Sequence, residues 1–90
     1  MKFEIAQIVI HNNNLENRHL VLATKEQDLN LDFLKSKKGI YYIKNIEKIA
    51  TNNLTVINGF DYKIGRIIGN ENGYSIVGKF IDVFENDIQF

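Results

Sequence analysis

Runs of apolar β-formers separated by asparagine clusters set the pattern of this chain. Between Phe3 and His11 the apolar positions are Phe3, Ile5, Ala6, Ile8, Val9 and Ile10. Alternation holds from Phe3 to Ile5 and slips at Ala6–Gln7, which predicts a bulge or burial of a strand on both faces. Asn12, Asn13, Asn14 and Asn17 then form a turn cluster, because asparagine bonds nearby backbone and tolerates positive φ. Alternation resumes from Arg18 to Thr24, with Leu20 and Leu22 on one face and His19, Val21 and Ala23 on the other. Together these segments predict an N-terminal hairpin with a long asparagine loop.

Residues 25–38 read two ways. Leu29, Leu31 and Phe33 alternate as in a short strand, while Asn30 to Lys38 equally suits a helical turn or two closed by Gly39. Ile43, Ile46, Ile49 and Ala50 follow helical spacing. The Tyr41-Tyr42 pair and the β-branched residues lower helix propensity there, so the expectation is strand over 40–44 and a short helix or turn over 45–50. A strand is expected from Leu54 to Asn58, ending at the turn-forming pair Asn58-Gly59. Tyr62 to Gly69 and Tyr74 to Phe80 predict a second hairpin joined by Asn70-Glu71-Asn72-Gly73. Beyond it, either the strand continues to Phe84 or Ile81, Phe84 and Ile88 line one side of a helix. In both cases Ile88 and Phe90 are too apolar to stand in water, and the tail is expected to dock on the core or on a partner.

Composition sharpens this into a fold class. The chain has 14 isoleucines and 12 asparagines but no proline, cysteine or tryptophan. Isoleucine favours pleated surfaces and asparagine the breaks between them. Ninety residues are too few for two independent cores, so residues 1–90 form a single domain. The expected architecture is mainly β (or α+β): five to six antiparallel strands as a bent sheet or small open barrel, with one or two short helical segments.

Candidate chemistry is sparse. Without cysteine there is no thiol nucleophile, and Ser36 and Ser75 sit in no elbow motif. His11 and His19 flank the hairpin loop, and Glu16 lies between them, yet zinc sites take three or four ligands at recognisable spacing. Asp28-Leu29-Asn30-Leu31-Asp32 opens like a calcium loop, but Phe33 and Gly39 occupy its required glycine and glutamate positions. No catalytic residue, metal or cofactor is expected, and the chain reads as non-enzymatic.

Charge separates the remaining function classes. Eleven basic and eleven acidic residues cancel, which argues against binding driven by phosphates or an anionic membrane. No apolar run approaches a membrane span, and cytoplasm is the expected compartment. The heavy use of Ile, Asn and Lys matches AT-rich coding and points to a low-GC bacterium or its phage. Tyr41, Tyr42, Lys44, Lys48, Tyr62, Lys63, Arg66 and Tyr74 are the candidate partner or nucleic-acid surface. The expected function is a protein-binding module, an inhibitor, immunity or adaptor protein, whose partner is another protein or a second copy. The alternative is a small-barrel binder of single-stranded nucleic acid, in which tyrosines stack bases and lysines follow the backbone.

Overall fold

The computed structural model describes residues 2–36, 55–70 and 72–90. The elements expected over 37–54, and with them Tyr41, Tyr42, Lys44 and Lys48, lie outside the described residues. The elements are strands β1 (Ile8–His11) and β2 (Arg18–Thr24), helix α1 (Leu31–Ser36), strands β3 (Tyr62–Asn70) and β4 (Gly73–Val83), a 3-10 turn (Glu85–Asp87) and strand β5 (Ile88–Gln89). The five strands form one antiparallel sheet in the order β4-β3-β2-β1-β5.

The slip in the N-terminal pattern is a real irregularity. Ala6 takes φ 75, and its N–H donates to the Val21 carbonyl at 2.8 Å while the Val21 N–H donates to Gln7 at 2.9 Å. Two residues therefore oppose one, as in a bulge, and regular pairing starts only at Ile8. The loop behind the hairpin uses asparagine as expected: Asn12 and Asn13 have φ 54 and 60. Of the two readings of residues 25–38, the helix forms. The Asn30 side chain accepts the Phe33 N–H at 3.1 Å, and its carbonyl accepts that of Leu34 at 3.1 Å, a side-chain cap that starts the turn.

The strand expected over 54–58 is corrected, because the described part, from Thr55 on, runs irregularly into a turn at Asn58–Gly59. Its backbone is held by side chains instead: the Ile57 N–H donates to Asp82 at 3.3 Å. At the other ambiguity, Ile81 onward, the strand continues to Val83. Of the two apolar tail residues, Ile88 docks on the sheet in β5, whereas Phe90 touches Phe3 on one side and stays 69% exposed, a correction to the expected burial.

Both faces of the sheet are buried. One cluster holds Ile5, Ala6, Leu20, Leu22, Leu34, Ile67, Tyr74 and Ile76. The other holds Phe3, Val9, Val21, Tyr62, Ile64, Val83 and Ile88. β3 and β4 each contribute to both, since pairing shifts between Ile64↔Ile81 and Arg66↔Val77. That shift bends the hairpin at Gly65 and Gly78. At Gly65 a Cβ would come within 2.9 Å of Ile76 and 3.1 Å of Leu22 and Phe80, so the missing side chain lets these three converge.

The bend is imposed by connectivity. β4 and β5 lie at opposite edges, about 19 Å apart in a flat five-stranded sheet. Yet Val83 and Ile88 are joined only through Phe84 and the 3-10 turn, whose rise is about 2 Å per residue. So short a link closes only if the sheet coils and brings its edges together, giving the expected bent sheet or open barrel. At the far end of the hairpin, Gly69 has φ +117, and a Cβ there would drive into the Gly73 carbonyl, whereas Gly78 at φ +74 has open space around it. Gly69→Ala should therefore cost about 3 kcal/mol and Gly78→Ala about 1 kcal/mol. Urea titration measures both, and equal costs would contradict this assignment.

Candidate functional site

Four of the expected surface residues are described, and they part ways. Tyr62 is fully buried at 0% exposure. Its ring meets Phe3 edge-on at 5.6 Å, and its hydroxyl accepts the Phe3 N–H at 2.9 Å and donates to Glu85 Oε1 at 3.0 Å. Burial raises its pKa, with the Glu85 carboxylate adding to that, so the hydroxyl keeps the proton it donates. Lys63 is buried against Asp82, its Nζ 3.1 Å from Oδ1. Tyr74 is buried in the cluster with Leu20 and Ile76, with the Arg18 guanidinium 5.7 Å above its ring. Arg66 alone of the four is exposed.

The expected tyrosine–lysine surface is thus corrected at Tyr62, Lys63 and Tyr74. The physical reason differs at each: a satisfied hydroxyl lets Tyr62 enter the core, a carboxylate neutralises Lys63, and an apolar cluster takes the Tyr74 ring.

A different surface stands where β3 begins and β4 ends. Phe60 and Phe84 stack with centroids 4.8 Å apart and planes 24° from parallel. Phe84 is 49% exposed and Ile57 56%. Beside them Lys25, Val56, Ile57, Asn58, Gly59 and Phe60 line a shallow depression of about 320 Å³. Sequence reasoning passed over this pair. The register of the second hairpin could not have found it: with Tyr62 opposite Val83, the ladder continued would set Asp61, not Phe60, across from Phe84, so the stacking arises where regular pairing has ended.

Charged groups hold this surface in place. Lys25 Nζ lies 2.8 Å from Asp61 Oδ1, and Asp61 Oδ2 accepts the Glu85 N–H at 2.7 Å. The Lys25 contact, then the Glu85 N–H, keep the Asp61 carboxyl below its usual range. Glu85 accepts the Lys2 N–H at 2.9 Å and the Tyr62 hydroxyl, which lower its pKa in the same way, the Lys2 N–H first. Both carboxylates are therefore ionised acceptors held by donors. Neither is poised near neutral pH as a general acid or base would be.

The histidines meet as the sequence suggested. Their ring centroids are 5.4 Å apart and their planes 71° apart. His19 is only 4% exposed, and its Nδ1 lies 3.0 Å from the Asn17 carbonyl. Burial lowers its pKa from 6.5; the Asn17 carbonyl opposes the shift, while His11 and Arg66 add to it. Among the described residues no group of three His, Cys, Asp or Glu could hold a metal ion, and no helix is long and apolar enough to cross a membrane.

This shift has a sign that can be measured. With the folded pKa below 6.5, the unfolded chain takes up a proton first as pH falls. The stability conferred by neutral His19 is complete above the unfolded value and drains away below it, towards the folded pKa. The urea midpoint should fall between about pH 7.5 and about pH 5.5. His19→Gln should flatten that slope. Asp61 and Glu85, whose pKa values are lowered from 3.8 and 4.5, act only in more acid solution, where stability is lost as their carboxylates protonate. A slope unchanged in His19→Gln would refute the assignment.

No known protein family, curated protein or solved structure matches this chain.

Proposed function

We propose that this chain is a non-enzymatic protein-binding module, an inhibitor, immunity or adaptor protein of a low-GC bacterium or its phage, acting in the cytoplasm on another protein or on a second copy of itself. The observation that carries this reading is the stacked Phe60–Phe84 pair, in which Phe84 is exposed together with Ile57 and Phe60 is half-buried beneath it. Rigid aromatics cost little entropy to immobilise and dominate binding energy when a rim of polar groups excludes water around them. Candidates for such a rim stand close by: Asp61 and Glu85 follow Phe60 and Phe84 in the chain, Lys25 pairs with Asp61, and Asp82 holds the Ile57 N–H. These charges are already paired, so a partner need not desolvate lone ions to reach the aromatics. Asp61 and Glu85 are held ionised by their donors, which fits recognition better than acid–base chemistry.

The nucleic-acid alternative draws less support. Tyr62 and Tyr74 are buried and offer no face for base stacking, and Lys63 is committed to Asp82. That alternative leans on Arg66 and on Tyr41, Tyr42, Lys44 and Lys48.

Replacement of Phe84 by Glu leaves the core clusters untouched and places a charge in the centre of the proposed surface. The folded chain should form a complex or dimer of defined stoichiometry by light scattering, stable in moderate salt. Phe84→Glu should weaken it at least about 30-fold, the scale of an aromatic hot spot, with an unchanged urea midpoint. A strict monomer whose co-purifying proteins are identical for both variants would overturn the reading. A salt-sensitive shift of single-stranded oligonucleotides, unaffected by Phe84→Glu, would favour the nucleic-acid alternative.

A further inference from the structure

The ion pairs among the described residues, Lys25–Asp61 and Lys63–Asp82, leave Lys2, Arg18, Lys79 and Arg66 without a carboxylate, and of these Arg66 stands beside two histidines. Arg66 pairs across the sheet with His19, and residues directly opposite in an antiparallel pair share a face. His11 reaches the same place from β1, its ring 5.4 Å from that of His19. Three adjacent strands thus each deliver one nitrogenous side chain to one spot. The residues paired with this spot from the next strands are uncharged: Ile88 lies opposite His11, and Val77 lies opposite Arg66.

Asn17 orients both rings. Its side-chain nitrogen lies 3.4 Å from His11 Nδ1, and its carbonyl 3.0 Å from His19 Nδ1. The amide can only donate and the carbonyl only accept. Neutral His11 therefore carries its proton on Nε2, and neutral His19 carries its proton on Nδ1, an assignment from the hydrogen-bond network. His19 Nε2 is then a bare lone pair that becomes a donor on protonation. Among the described residues no buried side-chain nitrogen lacks a hydrogen-bond partner, so this Nε2, which has none, touches solvent although His19 is only 4% exposed.

We propose that His11, His19 and Arg66 form an anion site that takes a phosphoryl group. Three donors arriving from three strands match an anion with three acceptor oxygens better than a planar carboxylate with two. A bound dianion would also relieve the mutual repulsion of the two imidazoles and the guanidinium, and so favour the protonated rings. A transition metal is disfavoured at the same rings, because Arg66 would face it with like charge and no third ligand is at hand.

The probe is inorganic phosphate, followed through the imidazole Cε1–H signals of both histidines at constant ionic strength. Both signals should shift and saturate near pH 6, and the affinity should drop roughly tenfold or more by pH 8 as His19 loses the proton that makes its Nε2 a donor. Acetate at equal concentration should give no saturable shift. Arg66→Met removes an exposed side chain with no ion pair, leaves the fold intact and should weaken phosphate binding at least about tenfold, the weight of a charge-assisted contact. Phosphoserine distinguishes the source of the group: tighter binding than inorganic phosphate assigns a phosphate monoester, and weaker binding a free ion. Linear shifts without saturation, equal response to acetate, or unchanged affinity in Arg66→Met would each overturn the proposal.

Discussion

The hydroxyl of Tyr62 ties together three parts of the chain that the sheet must bring to one place. It accepts from the backbone of Phe3 and donates to Glu85, while Glu85 also receives the Lys2 N–H and gives its own N–H to Asp61. The N-terminal segment, the start of β3 and the 3-10 turn are thereby fixed to one another where the coiled sheet comes round on itself. The Phe3 N–H contact is buried and those of Glu85 with Tyr62 and Asp61 are part-buried, so these groups must keep their partners. Losing the hydroxyl would orphan a backbone N–H and leave a carboxylate short of a donor. The seam and the apolar interior consequently reinforce each other: Tyr62, Phe3, Val83 and Ile88 share a single cluster.

Charge is distributed unequally around this frame. On one side Lys25 with Asp61 and Lys63 with Asp82 form complete pairs that hold loops against the sheet. Asp82 additionally anchors the backbone of Ile57, so an ion pair inside the sheet positions an exposed apolar side chain outside it. On the other side Arg66, His11 and His19 gather without a balancing acid. The first arrangement spends electrostatics on shape. The second leaves them unspent.

Much of the fold was legible in the pattern of isoleucine and asparagine. Strict alternation in Arg18–Thr24 and Tyr74–Phe80 marked strands because a sheet with two buried faces still alternates between two different clusters. The slip at Ala6 marked the bulge because one extra residue reverses parity. What the pattern could not show was closure. The pairing of β1 with β5 joins residues at the two ends of the sequence, and no local signal specifies such a contact. The strand expected at 54–58 failed for a related reason: Thr55 to Ile57 have β-forming side chains, but Asp82 captures the Ile57 N–H. The surface tyrosines were misplaced because sequence shows a hydroxyl without showing its acceptor. Tyr62 looked amphipathic and therefore superficial, until Glu85, 23 residues away, supplied the partner that permits burial. By the same token, Phe84, which the sequence could place on one side of a helix, stands at the surface stacked on Phe60.

The pairing of β1 with β5 also sets the order in which the chain can become itself. During synthesis β1 and β2 emerge early and can zip locally, but the outer edge of β1 has no mate until Ile88 and Gln89 appear. Until they do, that edge presents unpaired N–H and C=O groups, the template on which strands of other chains add. Its short length, four residues, and the polar, positive-φ turns that follow at Asn12 and Asn13 limit the ladder a stray strand could build. The asparagine loop therefore serves the nascent chain as well as the finished one, guarding an edge that the native protein no longer has.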